Sequence, residues 1–461
     1  MNKTALYVGI GVGVPMLVAL TLPVANLFDT GRRGPEATGD PRFVEVSHIL
    51  QGACADCHAS GVAEMPFYAR LPVASGMIAA DQADAERWWR LDPDKLSGKI
   101  PLDDADLGHI ELVLAENNMP PGKYVVMHWG AGLSSAEKTT LRNYIAARRS
   151  ARPEAALVAE AHRGEPVQPV MLPAKLQRDK SELGDRLYHE TMLSGNDTLS
   201  CASCHQLTKG GTDQDRVSTG IHGQKGPINA PTTLNSSYNV LQFWDGRAAS
   251  LQDQAGGPVE NPLEMGAKFP AVVTKLQADD SYVTAFAKVY PKQGISKETI
   301  TNAIAEYERS LVTPDSPFDK YLRGDDGAID ASAKRGYQLF KDVGCAACHN
   351  GPALGGTSFQ RFGIAADYFA ARGNVTDADQ GRMNVTHDER DRHVFKVPTL
   401  RNLKVTHPYF HDGSAATLED AVRTMAKYQR GRDLSDDDVT VIVAFLVSLT
   451  GERDGTPVDK L

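Results

Sequence analysis

Three copies of one five-residue pattern, C-x-x-C-H, constrain this chain more than any other feature. They are Cys54, Cys57 and His58; Cys201, Cys204 and His205; and Cys345, Cys348 and His349. Together they use all six cysteines. Two thiols on one turn of backbone can add to the two vinyl groups of a porphyrin, and the adjacent imidazole then lies under the iron. A redox dithiol explains one copy. A zinc ribbon needs paired C-x-x-C motifs, usually without the trailing histidine. Three copies, each with its histidine, point to three covalently bound haem c groups. Such haem is normally assembled outside the bacterial cytoplasm.

The rest of the composition fits a globular chain. Of 461 residues, 41% are hydrophobic and 23% charged, which excludes wholesale disorder. The net charge of −9 makes nucleic acid a poor partner. At about 150 residues per domain, the length suggests three domains.

The N-terminus carries an uncharged run from Leu6 to Ala25. That is long enough to span a bilayer, and membrane helices tolerate its Gly and Pro. A cleaved signal peptide is the rival, but its apolar core is usually shorter. The reading is an inner-membrane anchor over 1–28, with everything after it in the periplasm. The flanking charges, Lys3 before and Arg32 and Arg33 after, do not decide the orientation.

Cys54 to Cys201 and Cys201 to Cys345 are 147 and 144 residues apart, about one domain each. Each module ends in a capped amphipathic helix. The first starts at Ser134, with Leu141, Tyr144 and Ile145 on one face. The second starts at Ser296, with Ile300, Ala303, Ile304, Tyr307 and Leu311. The third starts at Ser435, with Ile442, Phe445, Leu446 and Leu449. Residues 151–180, with four prolines and no apolar period, predict a linker. Residues 313–330 predict a second loop-like break. The expected fold is mainly α: three consecutive cytochrome c-like haem modules after an N-terminal transmembrane helix. The expected domains are a monohaem domain over 29–150, the linker, and haem domains over 181–325 and 326–461.

The sixth ligand of each iron decides between electron transfer and chemistry. Met425, on a helix capped by Thr417, is the candidate in the third module. In the second it is His222, among three glycines that let the loop move cheaply. In the first it is Met119, before Pro120, with Met65, Met77, His109 and His128 as competitors. Near the second motif lie Trp244, Gln254 and Glu264. Breaking a peroxide O–O bond needs a proton moved between oxygens, which a carboxylate can do. A neighbouring amide can orient the peroxide and stabilise developing charge.

From about Asp179 to Gly451 the chain resembles the bacterial dihaem cytochrome c peroxidases. The shared segments are CASCH, STGIHGQKGPINAPT, FWDGRAASL, GPVENPLEM, CAACH, FKVPTLRN and HPYFHDGSAATLEDAV. The extra module, with CADCH and MPPGKY, and the anchor resemble the trihaem, membrane-anchored quinol peroxidases. The resemblance implies that His205 holds the peroxidatic haem and His222 is its displaceable distal ligand. It makes Gln254 and Glu264 the active-site amide and acid–base carboxylate, and places Trp244 between two haems. It gives His349 and Met425 to a high-potential haem, and Asn229 with the backbone of Thr406 and Pro408 to calcium. Hydrogen peroxide is the implied substrate. Quinol or a c-type cytochrome is the implied donor, and a homodimer stays open. A non-catalytic multihaem electron carrier is the rival reading. So is the related class that oxidises a protein partner, but its typical tyrosine ligand is replaced here by Met425.

Overall fold

The computed structural model describes residues 34–59, 67–70, 72–128 and 131–461, apart from the side chains of Phe67, Tyr68, Val73 and Met127. The apolar run 6–25 lies outside the described residues. Among the described residues no helix is long and apolar enough to cross a membrane. The chain divides into two compact units at residues 148 and 149.

In the first unit, α1 (Pro41–Ala53), α2 (Asp104–Glu116) and α3 (Ser135–Ser150) surround an apolar core. Val46 and Leu50, Leu107 and Ile110, and Leu141 and Ile145 supply its centre. Full burial of each such side chain is worth about 1.5–3 kcal/mol. The predicted cap holds: Ser134 Oγ accepts from Glu137 N–H at 3.2 Å, and Glu137 Oε2 accepts from Ser134 N–H at 2.8 Å. Asp103 caps α2 in the same reciprocal way with Asp106.

The second unit is built on one helix pairing used twice. First, α4 (Arg178–Tyr188) crosses α6 (Lys297–Ser310), with α5 (Leu251–Glu260) beside α6. Then, after α7 (Pro317–Leu322), α8 (Ala331–Asp342) crosses α10 (Asp436–Val447), with α9 (Leu418–Thr424) before it. Both crossings depend on a glycine. A Cβ on Gly184 would lie 2.0 Å from the Ala303 carbonyl oxygen, and one on Gly336 would lie 1.8 Å from that of Val441. Aromatic residues four positions on, Tyr188 and Phe340, meet Tyr307 and Phe445. Ser296 and Ser435 cap α6 and α10 as expected, and the apolar faces read from sequence are buried. The β-structure described is two short antiparallel pairs, among them β1 (Phe359–Arg361) with β2 (Val394–Lys396).

Residues 181–325 and 326–461, set apart by the motif spacing, lie in one compact unit. Two segments that read as loose connections explain this. The stretch 151–180 is a packed strap in which Val158, Val167, Gln168 and Val170 are buried. Its backbone pairs with distant groups: Gly351 N–H to Pro166 O at 2.8 Å, Ala159 N–H to Leu322 O at 2.9 Å, and Gln177 N–H to Glu306 Oε1 at 2.6 Å. Proline removes donors but leaves carbonyls that such pairing can use. The second segment, 313–330, contains α7 and a buried polar junction. Thr313 Oγ1 accepts from Asn235 Nδ2 at 2.7 Å and from Asn402 Nδ2 at 3.0 Å. That joins the two halves of the unit through fully satisfied groups.

Candidate haem and peroxide site

Each C-x-x-C-H motif sits on a short turn that presents both cysteines and the histidine. The three histidines are set the same way. His58 Nδ1 lies 2.7 Å from Trp89 O, His205 Nδ1 3.2 Å from Gly211 O, and His349 Nδ1 3.1 Å from Leu354 O. A carbonyl only accepts, so each Nδ1 carries the proton and each Nε2 keeps its lone pair for a metal. Burial lowers the pKa of all three rings and drives His349 down to about 4, so the imidazoles are neutral. None of the six cysteines is in a disulfide. Burial pushes the thiols of Cys54, Cys201 and Cys345 up to about 12. Such thiols do not suit thiolate redox or zinc chemistry, whereas an uncharged thioether is at home there. The residues therefore fit covalent haem.

In the third module, Cys345, Cys348, His349 and Met425 line one largely apolar cavity. Met425 follows α9, capped by Thr417 as predicted, and opens a π-helical turn, Met425–Gln429. Such turns re-aim side chains and are frequent at functional sites. The same cavity is lined by Trp244, Asn229, Thr406 and Pro408. Trp244 Nε1–H donates to Asn229 O at 3.0 Å, and the Trp244 ring meets His411 edge-on at 6.3 Å. Asn229 Nδ2 donates to the carbonyls of Asp215 and Arg216 at 3.1 and 3.2 Å. Its Oδ1 and the carbonyls of Thr406 and Pro408 accept no hydrogen bond among the described residues. Uncharged oxygen acceptors of this kind suit calcium.

Glu264, Gln254 and His222 lie outside that lining. Gln254 is half-buried on α5. Glu264 is half-buried in the turn that follows, and Asn261 Nδ2 donates to its Oε1 at 2.7 Å. Burial raises the Glu264 pKa, opposed by the Asn261 bond and the Arg247 charge. His222 is exposed and has φ +60°, an uncommon left-handed conformation for a non-glycine residue. Its loop is held more firmly than its glycines suggest. Ile221 N–H donates to Glu264 O at 2.7 Å, and Gly220 N–H to Gln224 O at 2.7 Å. A Cβ on Gly220 would lie 1.9 Å from Leu263 O, so the glycine serves close approach rather than freedom.

In the first unit Met119 is 37% exposed and Met77 65%. Met65 lies outside the described residues. His109 stacks on Trp89, whose ring is 5.4 Å from that of His58. His128 stacks on Tyr124, whose hydroxyl donates to Asp56 of the first motif.

A buried ionic chain that no sequence motif marks lies beside Trp244. His411 Nε2 lies 2.7 Å from Asp379 Oδ1, and Arg372 bridges Asp379 and Asp412. The His411–Asp412 pair stands in the segment HPYFHDG, but its partner lies 32 residues earlier. Arg372 occupies the place between the carboxylates that a metal ion would need, and it and His411 hold Asp379 well below the usual carboxylate range.

Comparison with known proteins covers almost the whole chain. The family described as "Di-haem cytochrome c peroxidase" matches residues 178–327, "Haem-binding domain" 29–147 and "Cytochrome c" 333–450. The "Cytochrome c peroxidase Ccp" of Escherichia coli is 48% identical over 87% of this chain and 86% of its own length. The "Cytochrome c551 peroxidase" of Nitrosomonas europaea is 48% identical over 63% of this chain and 85% of its own. Among solved structures, a MauG-like protein associated with microbial copper homeostasis superposes with TM-score 0.55 at 29% identity, covering 62% of this chain and 94% of that one. The diheme peroxidase BthA from Burkholderia thailandensis shares the fold, with TM-score 0.51 at 21% identity over 61% of this chain and 89% of that one.

Proposed function

Because the chain belongs to the di-haem cytochrome c peroxidase family and is a haem c peroxidase, we propose that it reduces hydrogen peroxide to water as a trihaem enzyme. Its haem domains stand in the periplasm, held at the inner membrane by the segment 1–28, and membrane quinol supplies the electrons. When bound, haem c supplies the iron at which peroxide is reduced and the conjugated rings that relay electrons. His58, His205 and His349 would hold the three irons. Met425 would supply the second ligand in the third module, and Met119 in the first.

One observation carries the assignment of the middle module. The loop of His222 and the segment of Glu264 are joined through the Ile221–Glu264 backbone hydrogen bond. Displacing His222 and presenting the Glu264 carboxylate are therefore linked movements. Glu264 takes a proton from one peroxide oxygen and returns it to the other. Gln254, whose side-chain amide has no hydrogen-bond partner among the described residues, orients the peroxide. Trp244 stands in the wall shared by the calcium oxygens and the third-module cavity. Asn229 and the backbone carbonyls of Thr406 and Pro408 would hold calcium in that wall.

A soluble c-type cytochrome as donor is favoured by the names of two relatives, both cytochrome c551 peroxidases. Steady-state peroxide consumption by the full chain, with quinol or with reduced cytochrome c in calcium buffer, separates the two. Quinol-driven turnover is expected; turnover with cytochrome alone removes the quinol donor. No peroxide consumption with either donor removes the catalytic reading of the middle module.

Met425 carries its own test. Methionine ligation raises a haem potential relative to bis-histidine ligation. Met425→His is expected to lower one midpoint potential in a redox titration and leave the others in place. An unchanged set of potentials would exclude Met425 as a ligand.

A further inference from the structure

The cavity that holds Cys345, Cys348, His349 and Met425 has a one-sided charge. Arg361, Lys396 and Arg430 line it, and no Asp or Glu does. Arg430 is engaged by a protein acceptor, its Nε donating to Val343 O at 2.9 Å. Lys396 is different. It is 6% exposed on β2, and its ammonium makes no hydrogen bond or ion pair among the described residues. The carboxylate that acts on it through space, Asp245, is engaged elsewhere. Arg247 Nη1 binds Asp245 Oδ2 at 2.9 Å, and Arg247 N–H donates to Oδ1 at 3.2 Å.

A buried ammonium without a counter-ion is costly. Burial lowers the Lys396 pKa to about 8, against the opposing pull of the Asp245 charge. An occupant of the cavity that brings the missing anion offsets that cost. Haem brings two propionate carboxylates. Reduction of a ferric haem adds one electron and removes one unit of positive charge, so a fixed cation nearby favours the reduced form.

We propose that Lys396 is the buried counter-charge for a propionate of the haem attached through Cys345 and Cys348, and that it raises that haem's reduction potential. The same strand then anchors the propionate and Trp244 together, since Lys396 N–H donates to Trp244 O at 2.8 Å. This rests on the reading that the third motif carries haem.

The test is an equilibrium redox titration of the full-length holoprotein, followed by visible and electron paramagnetic resonance spectra. Lys396→Met is expected to shift the Met-ligated haem toward the oxidised form by about tenfold, which for one electron is about 59 mV. The other haems serve as internal controls and stay in place. Lys396→Arg keeps the positive charge and is expected to keep the potential. If Lys396→Met does not fold, Lys396→Gln gives the same comparison. An unchanged potential in either neutral variant, with all haems attached, overturns the proposal. An equal fall in Lys396→Arg also overturns it, because packing rather than charge then sets the potential. A haemochrome count of fewer than three in the wild type overturns the reading of the motifs and this inference with it.

Discussion

Glu264→Ala is expected to lower peroxide turnover by about 10²–10⁴-fold, the range of a lost general acid–base group. Haem content and electron uptake should stay unchanged, because Glu264 belongs to no haem motif and lies outside the Met425 cavity lining. A non-catalytic electron carrier predicts no effect. Gln in its place keeps size and hydrogen bonding but cannot carry the proton, so Glu264→Gln should fall as far. Wild-type turnover should also decline as pH falls through the Glu264 pKa. The group must be deprotonated to take the peroxide proton, and burial raises its pKa above the ordinary value of 4.5. Asn261→Ala removes the hydrogen bond that opposes this rise, so the acidic limb should move to higher pH. The sign for stability is opposite. The folded state holds the Glu264 proton more tightly than the unfolded chain, so this group's contribution weakens as pH rises through its folded pKa. A limb that stays put in Asn261→Ala, or full activity in Glu264→Gln, would assign the proton transfer elsewhere.

Arg401→Met is expected to destabilise the second unit by about 3–5 kcal/mol, the usual result of removing one partner from a buried ion pair. Arg401 and Asp319 are both fully buried, 2.8 Å apart. The guanidinium also donates to Pro352 O at 2.8 Å, Ser316 Oγ at 3.0 Å and Gln168 O at 2.9 Å. It thus joins the strap, the loop after the third motif and the start of α7. Arg401→Lys keeps the charge but loses the fork, so it should recover only part of the loss. Removing both charges, as Arg401→Met with Asp319→Leu, should be less harmful than Arg401→Met alone. Urea unfolding of the holoprotein by circular dichroism measures each step. Limited proteolysis should find new cleavage within 151–180 in Arg401→Met. A loss below about 1 kcal/mol, as for an exposed pair, would mean the guanidinium does not hold the strap.

Local features proved legible in the sequence. Ser134, Ser296, Thr417 and Ser435 cap their helices because a cap bonds to an N–H two or three residues away. The buried faces of α3, α6 and α10 follow from periodicity alone. The helix crossings had a signal too: Gly184 with Tyr188 and Gly336 with Phe340, a glycine four residues before an aromatic ahead of each motif. The strap was not legible, since prolines look alike in a free linker and in a segment whose carbonyls are claimed from afar. Gly220 looked like freedom, but its meaning depends on the Leu263 carbonyl 43 residues away. Lys396 sits in an unexceptional strand sequence, and only the charge of the surrounding wall marks it out.

By itself, the sequence determined the chemistry that can be attached: cysteine pairs with their histidines, at covalent distances set along the backbone. The tertiary structure decided which distant groups share a wall, which loop is clamped to which backbone carbonyl, and which charge is left without a partner. Those outcomes depend on burial and on contacts between segments far apart in the chain, and neither is encoded in any short run of residues.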